Sequence, residues 1–396
     1  MSADRPYDIV LFGATGFTGG LTADYLALHA PPGTRWALAG RNPAKLEATR
    51  RRLAAAEPAL KDLPLLHADS TDVASLEDVA RASRVVVSTV GPYVRYGEPL
   101  VAACAQAGTD YLDLTGEPTF VDRMYVKYHA EAVRSGARLV HACGFDSIPS
   151  DLGTLFTVQK LPEGVPLRVE CFMRLSASFS GGTAHSALAI VSDLREMARA
   201  ERERREVEPR PENRRIHLAR RPRPRTRVKG WTLPMSTLDP QVVARSAAAL
   251  DRYGPDFTYG QYLATRRLAS AAGLAAGVGV AATLAQLPPT RALLERLATA
   301  PGEGPSAEQR QRSWFRATFV GEGGGESVVT EVAGGDPGYG ETAKMLAESA
   351  LCMAHDDLPE TAGQVTTATA MGGALIGRLQ RAGITFREIV PPEPGD

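Results

Sequence analysis

Three glycines near the start of the chain are spaced like those of a turn that holds the phosphates of a dinucleotide. Gly13, Gly16 and Gly19 follow the apolar run 7–12 and precede a helix-like segment at 20–29. In such a strand–turn–helix unit the first glycine permits the turn, the second lets a pyrophosphate approach, and the third packs the helix on the strand. An ordinary glycine turn is the alternative. The predicted cofactor-binding residues of the turn are Gly13, Ala14, Thr15, Gly16, Phe17, Thr18 and Gly19.

The end of the second predicted strand carries a cation. The strand at 36–40 ends roughly 20 residues after the glycine turn, where an NAD site usually has a carboxylate for the ribose 2′-hydroxyl. Here the next residue is Arg41, and Lys45 follows one helical turn later. Because a guanidinium forms paired hydrogen bonds with a phosphate, we predict that both residues contact the 2′-phosphate of NADP(H). A solvated loop arginine is the alternative for Arg41.

Two further strand ends complete the predicted cofactor site. The strand at 63–69 ends at residues expected to reach the adenine, and the β-branched run 84–90 is typical of a parallel strand buried on both faces. Ligands of open α/β sheets bind outside the carboxyl ends of the strands. The turn after the second run should therefore border the nicotinamide, with Tyr93 either in the site or packed in the core. The cofactor-binding residues added here are Asp69, Ser70, Gly91 and Pro92.

Several motifs occur in order over nearly the whole chain. They are Gly13–Gly19, Gly40–Arg41, Gly91–Tyr93, Tyr111–Glu117, Gly144–Asp151, Ser180–Thr183 and Asp336–Tyr339. With these motifs the sequence resembles the saccharopine dehydrogenase family, in particular its branch of trans-acting enoyl reductases and related oxidoreductases. The resemblance implies an α/β fold, namely a Rossmann-type doubly wound parallel sheet with a second α+β substrate domain.

The domain boundaries follow from the point where the strand–helix rhythm ends. We predict an NADP-binding Rossmann domain at 1–150 and an α+β substrate and dimerisation domain at 151–335. The resemblance implies that C-terminal helices at 336–396 pack back on the Rossmann domain. Within the second domain, residues 206–230 are predicted to be irregular and residues 314–332 to form a hairpin, and a single final helix is expected at 367–382.

The candidate catalytic residues lie in the loops expected at the carboxyl edge of the sheet. Carboxylates gather there and one of them could shuttle a proton: Asp113, Glu117, Asp146 and Asp151. Capping of a helix that begins near residue 150 is the alternative for Asp146. Tyr93 and Tyr111 could stabilise charge that develops on a substrate oxygen. His141 lies in an apolar strand and is more typical of a core residue. The catalytic candidates are Tyr93, Tyr111 and Asp146.

The expected activity is NADPH-dependent reduction of an enoyl thioester, acting in trans on a lipid or polyketide intermediate that is a small molecule or is bound to a carrier. Two alternatives remain open. One is reduction of an imine, as in the namesake of the family, with Arg174 and Arg195 binding substrate carboxylates. The other is an NADP-binding protein of the lipid surface without turnover. No tyrosine is followed by lysine at the fourth position, which disfavours short-chain dehydrogenase chemistry.

Charge and cysteine content exclude several other classes of function. Lys plus Arg and Asp plus Glu both number 45, so no net charge attracts nucleic acid, and we expect no nucleic-acid partner. The four cysteines form no C-x-x-C pair and there is no H-E-x-x-H motif, so we expect no metal site. Free cysteines and the lack of a leader before Tyr7 predict a cytoplasmic protein.

Two segments of the predicted second domain are compositionally unusual. Residues 199–229 contain 13 basic and 5 acidic residues. Most such runs are solvated, although this one could attract a carrier phosphate, coenzyme A or an anionic membrane. Residues 268–287 carry no charge and are rich in Ala and Gly. We expect a buried or dimer-forming helix there and hence a homodimer, with a bilayer-spanning helix, peripheral membrane contact or a wall of an acyl pocket as alternatives.

Overall fold

The computed structural model describes residues 5–176, 194–219, 231–235, 238–265, 273 and 305–389. The chain divides into two compact units. The first unit contains Met1–Asp146, Ala198–Glu208 and Tyr339–Arg378. The second unit contains Ser147–Met197, Pro209–Gly338 and Leu379–Asp396.

The first unit is built on a parallel sheet. Its strands are β1 (Tyr7–Phe12), β2 (Trp36–Gly40), β3 (Leu65–His67), β4 (Ser83–Ser88), β5 (Asp110–Asp113), β6 (Arg138–Val140) and β13 (Gly363–Val365). They lie in the order β13, β6, β5, β4, β1, β2, β3, and every neighbouring pair is parallel. The central part of this order is that of a Rossmann sheet, with a topological switch point between β1 and β4. The predicted fold class is confirmed.

Helices connect these strands and return the chain to the same edge, which is why the neighbours are parallel. The α-helices are Phe17–His29, Pro43–Ala56, Val73–Ala82, Tyr93–Tyr96, Glu98–Ala107, Pro118–Ser135, Gly340–His355, Thr367–Ala370 and Gly372–Arg381, and Pro58–Asp62 is a 3-10 helix. The side chains of Asn42 and Asp72 cap two of them by accepting a backbone N–H three residues later. Gly108, in the left-handed conformation, ends another.

The second unit is built on a mixed sheet. Its strands are β7 (Leu167–Ser176), β8 (Arg215–Leu218), β9 (Trp231–Pro234), β10 (Asp256–Thr265), β11 (Trp314–Gly323), β12 (Glu326–Gly334) and β14 (Thr385–Glu388). The main path is β14, β12, β11, β7, β10, β8, and β9 pairs with β10. The α-helices are Ile148–Val158, Leu238–Ala249 and Ala307–Arg312, and Asp251–Tyr253 is a 3-10 helix. One further helix, Leu194–Val207, begins in this unit and belongs to the first unit from Ala198 onward. The predicted hairpin is confirmed: β11 and β12 are antiparallel and turn at Gly324 and Gly325, both with positive φ.

Two predictions about local structure are wrong. Part of the stretch 206–230 is not irregular, because Arg215–Leu218 forms β8 and pairs with β10 in parallel. The alternation of Ile216 and Leu218 with polar residues suits a strand once a partner supplies the hydrogen bonds. The final helix is also not continuous. It is split into Thr367–Ala370 and Gly372–Arg381, because Gly372 has a φ of +45°, outside the helical range.

The basic run begins as a helix with internal ion pairs. Arg199 pairs with Glu203, and Arg205 pairs with Glu201, each four residues apart. The described residues 199–219 contain seven basic and five acidic residues, so most of the excess charge belongs to residues outside the described ranges. Arg204 is not solvated: it is 5% exposed, and its Nε donates to Oδ1 of Asp122 at 2.6 Å.

This buried pair leads to a test of stability. Replacement of Arg204 by Met leaves Asp122, which is 1% exposed, without this cation, and the free energy of unfolding should fall by about 3–5 kcal/mol. The exposed pair of Arg205 serves as the matched control, since Arg205→Ala should cost about 0.5 kcal/mol or less. Urea denaturation of both variants measures the two values, and equal losses would contradict a buried role for Arg204.

The apolar segment 268–287, apart from Gly273, lies outside the described residues. Within the described ranges, no helix has the length and apolar character needed to cross a bilayer. The same residues contain no group of three or more His, Cys, Asp or Glu side chains placed to hold a metal ion.

Candidate functional site

The glycine turn after β1 is closely packed at both ends. Gly13 has a φ of +89°, and a Cβ atom on it would lie 2.6 Å from Oγ1 of Thr89. A Cβ atom on Gly19 would lie 2.2 Å from the backbone oxygen of Gly13. Neither position can hold a side chain unless the backbone moves. The helix therefore lies directly on the turn, as the outer glycines of a dinucleotide-binding turn require.

The middle of the turn is open. Thr15 and Gly16 are exposed, and a Cβ atom on Gly16 would come no closer than 3.4 Å to another atom. Gly16 immediately precedes the helix Phe17–His29. The N–H groups of a first helical turn have no acceptor within the helix, and the helix dipole is positive there. The surface beside Gly16 therefore fits a pyrophosphate, while Ala14 is buried beneath the turn.

The loops beside this turn carry the residues predicted for the adenosine side of the cofactor. Arg41 and Lys45 are both exposed after β2, and Asn42 between them accepts the backbone N–H of Lys45 at 3.0 Å. The carboxylate of Asp69 makes hydrogen bonds within its own turn: it accepts the N–H and the hydroxyl of Thr71, both at 2.9 Å. These bonds and the charge of Arg41 lower the pKa of Asp69. Ser70 is half-buried beside it. The structure thus places a cationic patch at the end of β2, with a turn-forming carboxylate next to it.

The turn after β4 holds the predicted nicotinamide border. The Gly91–Pro92 peptide bond is cis, and Tyr93 begins the short helix Tyr93–Tyr96. The ring of Tyr93 is buried, and its hydroxyl donates to the carbonyl oxygen of Ser88 at 2.9 Å. Burial, together with the charge of Asp113, raises the pKa of Tyr93 well above its usual value. The hydroxyl therefore holds the turn together from inside.

Glu117 also acts on this turn. Its two carboxylate oxygens accept the backbone N–H groups of Tyr93 and Val94, at 3.0 and 2.8 Å. The side chain therefore caps the short helix after β4, while the backbone of Glu117 occupies the N-cap position of the helix that begins at Pro118. Burial raises the pKa of Glu117. This carboxylate, which the sequence placed at the sheet edge, stabilises the loop and is directed away from solvent.

The other two catalytic candidates differ in exposure: Tyr111 lies in the core of the first unit, and Asp146 is an exposed residue. Tyr111 is 0% exposed on β5, and burial together with the charge of Asp113 raises the pKa of its hydroxyl well above the usual value. Asp146 retains solvent access at the end of the loop after β6. Burial among protein atoms, with the charge of Asp113 added, raises the pKa of Asp146 to about 6. Asp146 is not the residue that caps the following helix, since Ser147 occupies that position.

Asp113 and His141 form a pair that sequence analysis did not connect. Nδ1 of His141 lies 2.6 Å from Oδ2 of Asp113, and both side chains are buried. Nε2 of His141 has no hydrogen-bonding partner among the residues the structure describes. Tyr111 and Phe120 surround the imidazole edge-on. The available signal was positional: the two residues end adjacent parallel strands, and apolar flanks alone suggested a core histidine.

The strand order brings these loops into one row. The loops after β2, β1, β4, β5 and β6 follow one another along the carboxyl edge of the parallel sheet. They carry, in that order, Arg41, the glycine turn, Gly91–Pro92, Gly116 and Asp146. Neighbouring strands are about 4.8 Å apart, so the row offers an extended path from a phosphate-binding end to a carboxylic acid. Such a row suits a dinucleotide with a reactive end near Asp146.

Comparison with known proteins supports this assignment. The model of the saccharopine dehydrogenase NADP binding domain matches residues 9–140. A trans-acting enoyl reductase of Mycobacterium ulcerans is 38% identical over 97% of this chain and 98% of its own. A trans-acting enoyl reductase of Mycobacterium tuberculosis is 35% identical over 97% of this chain and 98% of its own.

A solved structure has the same fold. The apo saccharopine dehydrogenase (L-Glu forming) of Saccharomyces cerevisiae covers 97% of this chain and all of its own, with a TM-score of 0.51 and 11% sequence identity. The low identity means that this likeness concerns the fold alone. The family model of the NADP binding domain and the full-length relatives confirm the cofactor prediction, NADP(H), and the predicted enzyme class. The chain belongs to the saccharopine dehydrogenase family, in the branch of the trans-acting enoyl reductases, and is an NADP-dependent oxidoreductase.

Proposed function

We propose that the enzyme reduces the carbon–carbon double bond of an enoyl thioester, with the acyl chain presented in trans on coenzyme A or a carrier protein as an intermediate of lipid or polyketide synthesis. The observation that carries this proposal is the 35–38% identity to trans-acting enoyl reductases over 97% of the chain. This identity extends through both units and is not limited to the cofactor-binding segment.

The cofactor side of the site fits this proposal. The residues 13–19 would hold the pyrophosphate, Arg41 and Lys45 the 2′-phosphate, and Gly91 and Pro92 would border the nicotinamide. When bound, NADPH supplies the hydride that enters the β-carbon of the substrate. The α-carbon must then receive a proton, and the protein has to provide it.

Asp146 is the best-placed donor among the candidates. Asp146 is an exposed residue, but protein atoms desolvate its carboxyl group, and a pKa of about 6 leaves about one molecule in ten protonated at pH 7. A general acid works best when its pKa is close to the working pH. The hydroxyl of Tyr93 already donates to the carbonyl oxygen of Ser88, and the hydroxyl of Tyr111 is buried below the loops. We therefore assign protonation to Asp146 and support of the turn after β4 to the hydroxyl of Tyr93.

Oxidation of NADPH, followed at steady state, tests the activity. The substrates are a series of enoyl-CoA and enoyl-carrier thioesters of different chain length, with an amino acid plus an aldehyde as the imine arm. We expect turnover with at least one enoyl thioester and none with the imine. Tight NADPH binding without enoyl reduction, or faster imine reduction, would refute the proposed activity.

The choice of cofactor is tested by a change of charge at the end of β2. In Arg41→Asp, the Kd for NADPH should rise about 10- to 100-fold because a charge-assisted bond to the 2′-phosphate is lost. The Kd for NADH should change less than about threefold, since NADH lacks that phosphate. Calorimetry measures both constants. Arg51→Asp, an exposed substitution on the next helix, is the control, and equal losses for the two cofactors would show that Arg41 does not meet the 2′-phosphate.

A further inference from the structure

The Asp113 side chain joins two loops of the row. It is fully buried at the end of β5. Oδ1 accepts the N–H of Thr115 at 3.0 Å and the N–H of Ala142 at 2.9 Å, and Oδ2 accepts the Nδ1–H of His141. The backbone carbonyl of Asp113 accepts the N–H of Cys143 at 2.6 Å. The loop after β5 and the loop after β6 are therefore held by one residue.

The second of these loops needs such support. Ala142 has a φ of +59°, which is unusual for a residue with a side chain and costs on the order of 1 kcal/mol. Its N–H is one of the groups that Asp113 accepts, so the pairing holds this conformation. Farther along, the N–H of Phe145 donates to Oγ1 of Thr342 on the helix Gly340–His355. The residues 142–146, which we call the Asp146 loop, are thus fixed at both ends.

The carboxyl group of Asp146 then lies against the loop after β5. A Cβ atom on Gly116 would lie 3.3 Å from Oδ1 of Asp146, closer than ordinary van der Waals contact. A glycine at this position therefore leaves the space that the carboxyl group uses. The loop that holds Gly116 is the one that Asp113 anchors through Thr115.

We propose that Asp113 and His141 are positioning residues for Asp146: the buried pair locks the Asp146 loop against Gly116 and holds the carboxyl group where the substrate is protonated. This inference rests on the proposed function, in which Asp146 is the proton donor. His141 acts through Asp113, because its Nδ1–H fixes the second carboxylate oxygen while the first holds the two loops. Neither residue contacts the substrate in this scheme.

The charge of Asp113 has a second consequence. It adds to burial in raising the pKa of Asp146, so removal of the charge should lower that pKa toward its ordinary value. Without the charge of Asp113, the carboxyl group of Asp146 should therefore lose its proton at a lower pH. The other titratable groups around Asp113 and Asp146 are Tyr93, Tyr111, Glu117 and His141.

The test combines kinetics with a direct titration. In Asp113→Asn, kcat for the enoyl thioester should fall about 10- to 100-fold, and the alkaline limb of kcat/KM should move to lower pH. NADPH affinity should not change, because no cofactor-binding residue is touched. His141→Leu should lower kcat to a similar extent, whereas His141→Asn, which keeps a donor at this position, should recover part of it.

A neighbouring pair provides the matched control. Asp110 begins β5 and pairs with Arg138 of β6, so Asp110→Asn removes a carboxylate from the same two strands at their other end. It should lower thermal stability without any shift of the pH profile. Gly116→Ala is a milder variant that crowds the carboxyl group, and it should lower kcat several-fold while the Tm stays within a few degrees.

A titration that does not depend on enzyme activity distinguishes failure of the positioning role from failure of the proposed function. The carbon-13 resonance of the Asp146 carboxyl group, assigned by its loss in Asp146→Asn, should titrate at lower pH in Asp113→Asn than in the natural protein. An unchanged titration together with an unchanged pH limb would overturn the positioning role, even if stability falls. If the natural protein reduces no enoyl thioester but the titration still shifts, the proposed function fails and the structural coupling stands.

Discussion

In the Asp146→Asn variant, kcat for an enoyl thioester should fall by about 10²- to 10⁴-fold, the usual contribution of a positioned general acid. The amide that replaces the carboxyl group has nearly the same shape but cannot give up a proton at neutral pH. Because Asp146 lies apart from the glycine turn, the Kd for NADPH should stay within about twofold. Steady-state kinetics and calorimetry measure the two effects separately.

The pH dependence of the natural enzyme belongs to the same prediction. Asp146 must be protonated to donate, and its raised pKa keeps the acid form up to about pH 6. Above that value kcat/KM should decline tenfold per pH unit, and Asp146→Asn should lose this limb. Asp357→Asn, an exposed carboxylate after the helix Gly340–His355, is the control and should keep the profile. If Asp146→Asn retains kcat within threefold, the proton comes from another group.

Replacement of Gly19 by Ala should weaken cofactor binding strongly, with the Kd for NADPH raised at least about 100-fold. The added methyl group would lie 2.2 Å from the backbone oxygen of Gly13, so the helix Phe17–His29 must move away from the turn. The N–H groups of its first turn would then leave the phosphate position. Overpacking of this kind also destabilises proteins by about 1–3 kcal/mol, so a lower Tm is expected.

The adjacent glycine is the control for this change. Gly20 lies in the same helix, and a Cβ atom there would come no closer than 3.7 Å to another atom. Gly20→Ala should therefore leave the Kd for NADPH within about threefold, and the better helix propensity of Ala should raise stability slightly. Fluorescence titration with NADPH and thermal unfolding compare the two variants. A normal Kd in Gly19→Ala would mean that the turn does not hold the pyrophosphate.

The cofactor domain was largely predictable from sequence. The strand and helix of each unit follow one another in the chain, and Gly13, Gly19 and Arg41 fall at their junctions. The β-branched run in β4 predicted a strand buried on both faces, and Val85, Val86 and Val87 are indeed 0% exposed. Local patterns of this kind predict local structure well because the interactions that they encode lie within about 30 residues of one another.

The split of the final helix and the pairing of β8 were not predictable in the same way. The run at 215–218 is short and basic, and only β10, some 40 residues later, supplies its hydrogen bonds. Similarly, Arg204 was grouped with solvated arginines, yet it is buried against Asp122. Its partner lies 82 residues away in the chain, so charge counting along the sequence could not identify it.

The sequence by itself determined the Rossmann-type sheet, the glycine turn and the cation expected at the 2′-phosphate, because each depends on residues close together in the chain. Only the tertiary structure decided among the catalytic candidates. Asp113 and His141 are 28 residues apart and meet because β5 and β6 are parallel neighbours. Tyr93 and Tyr111 are buried, whereas Asp146 is an exposed residue whose carboxyl group is desolvated by the protein atoms around it and has a raised pKa. Exposure and charge–charge distance are properties of the packed molecule, and they decide which carboxyl group holds a proton at working pH.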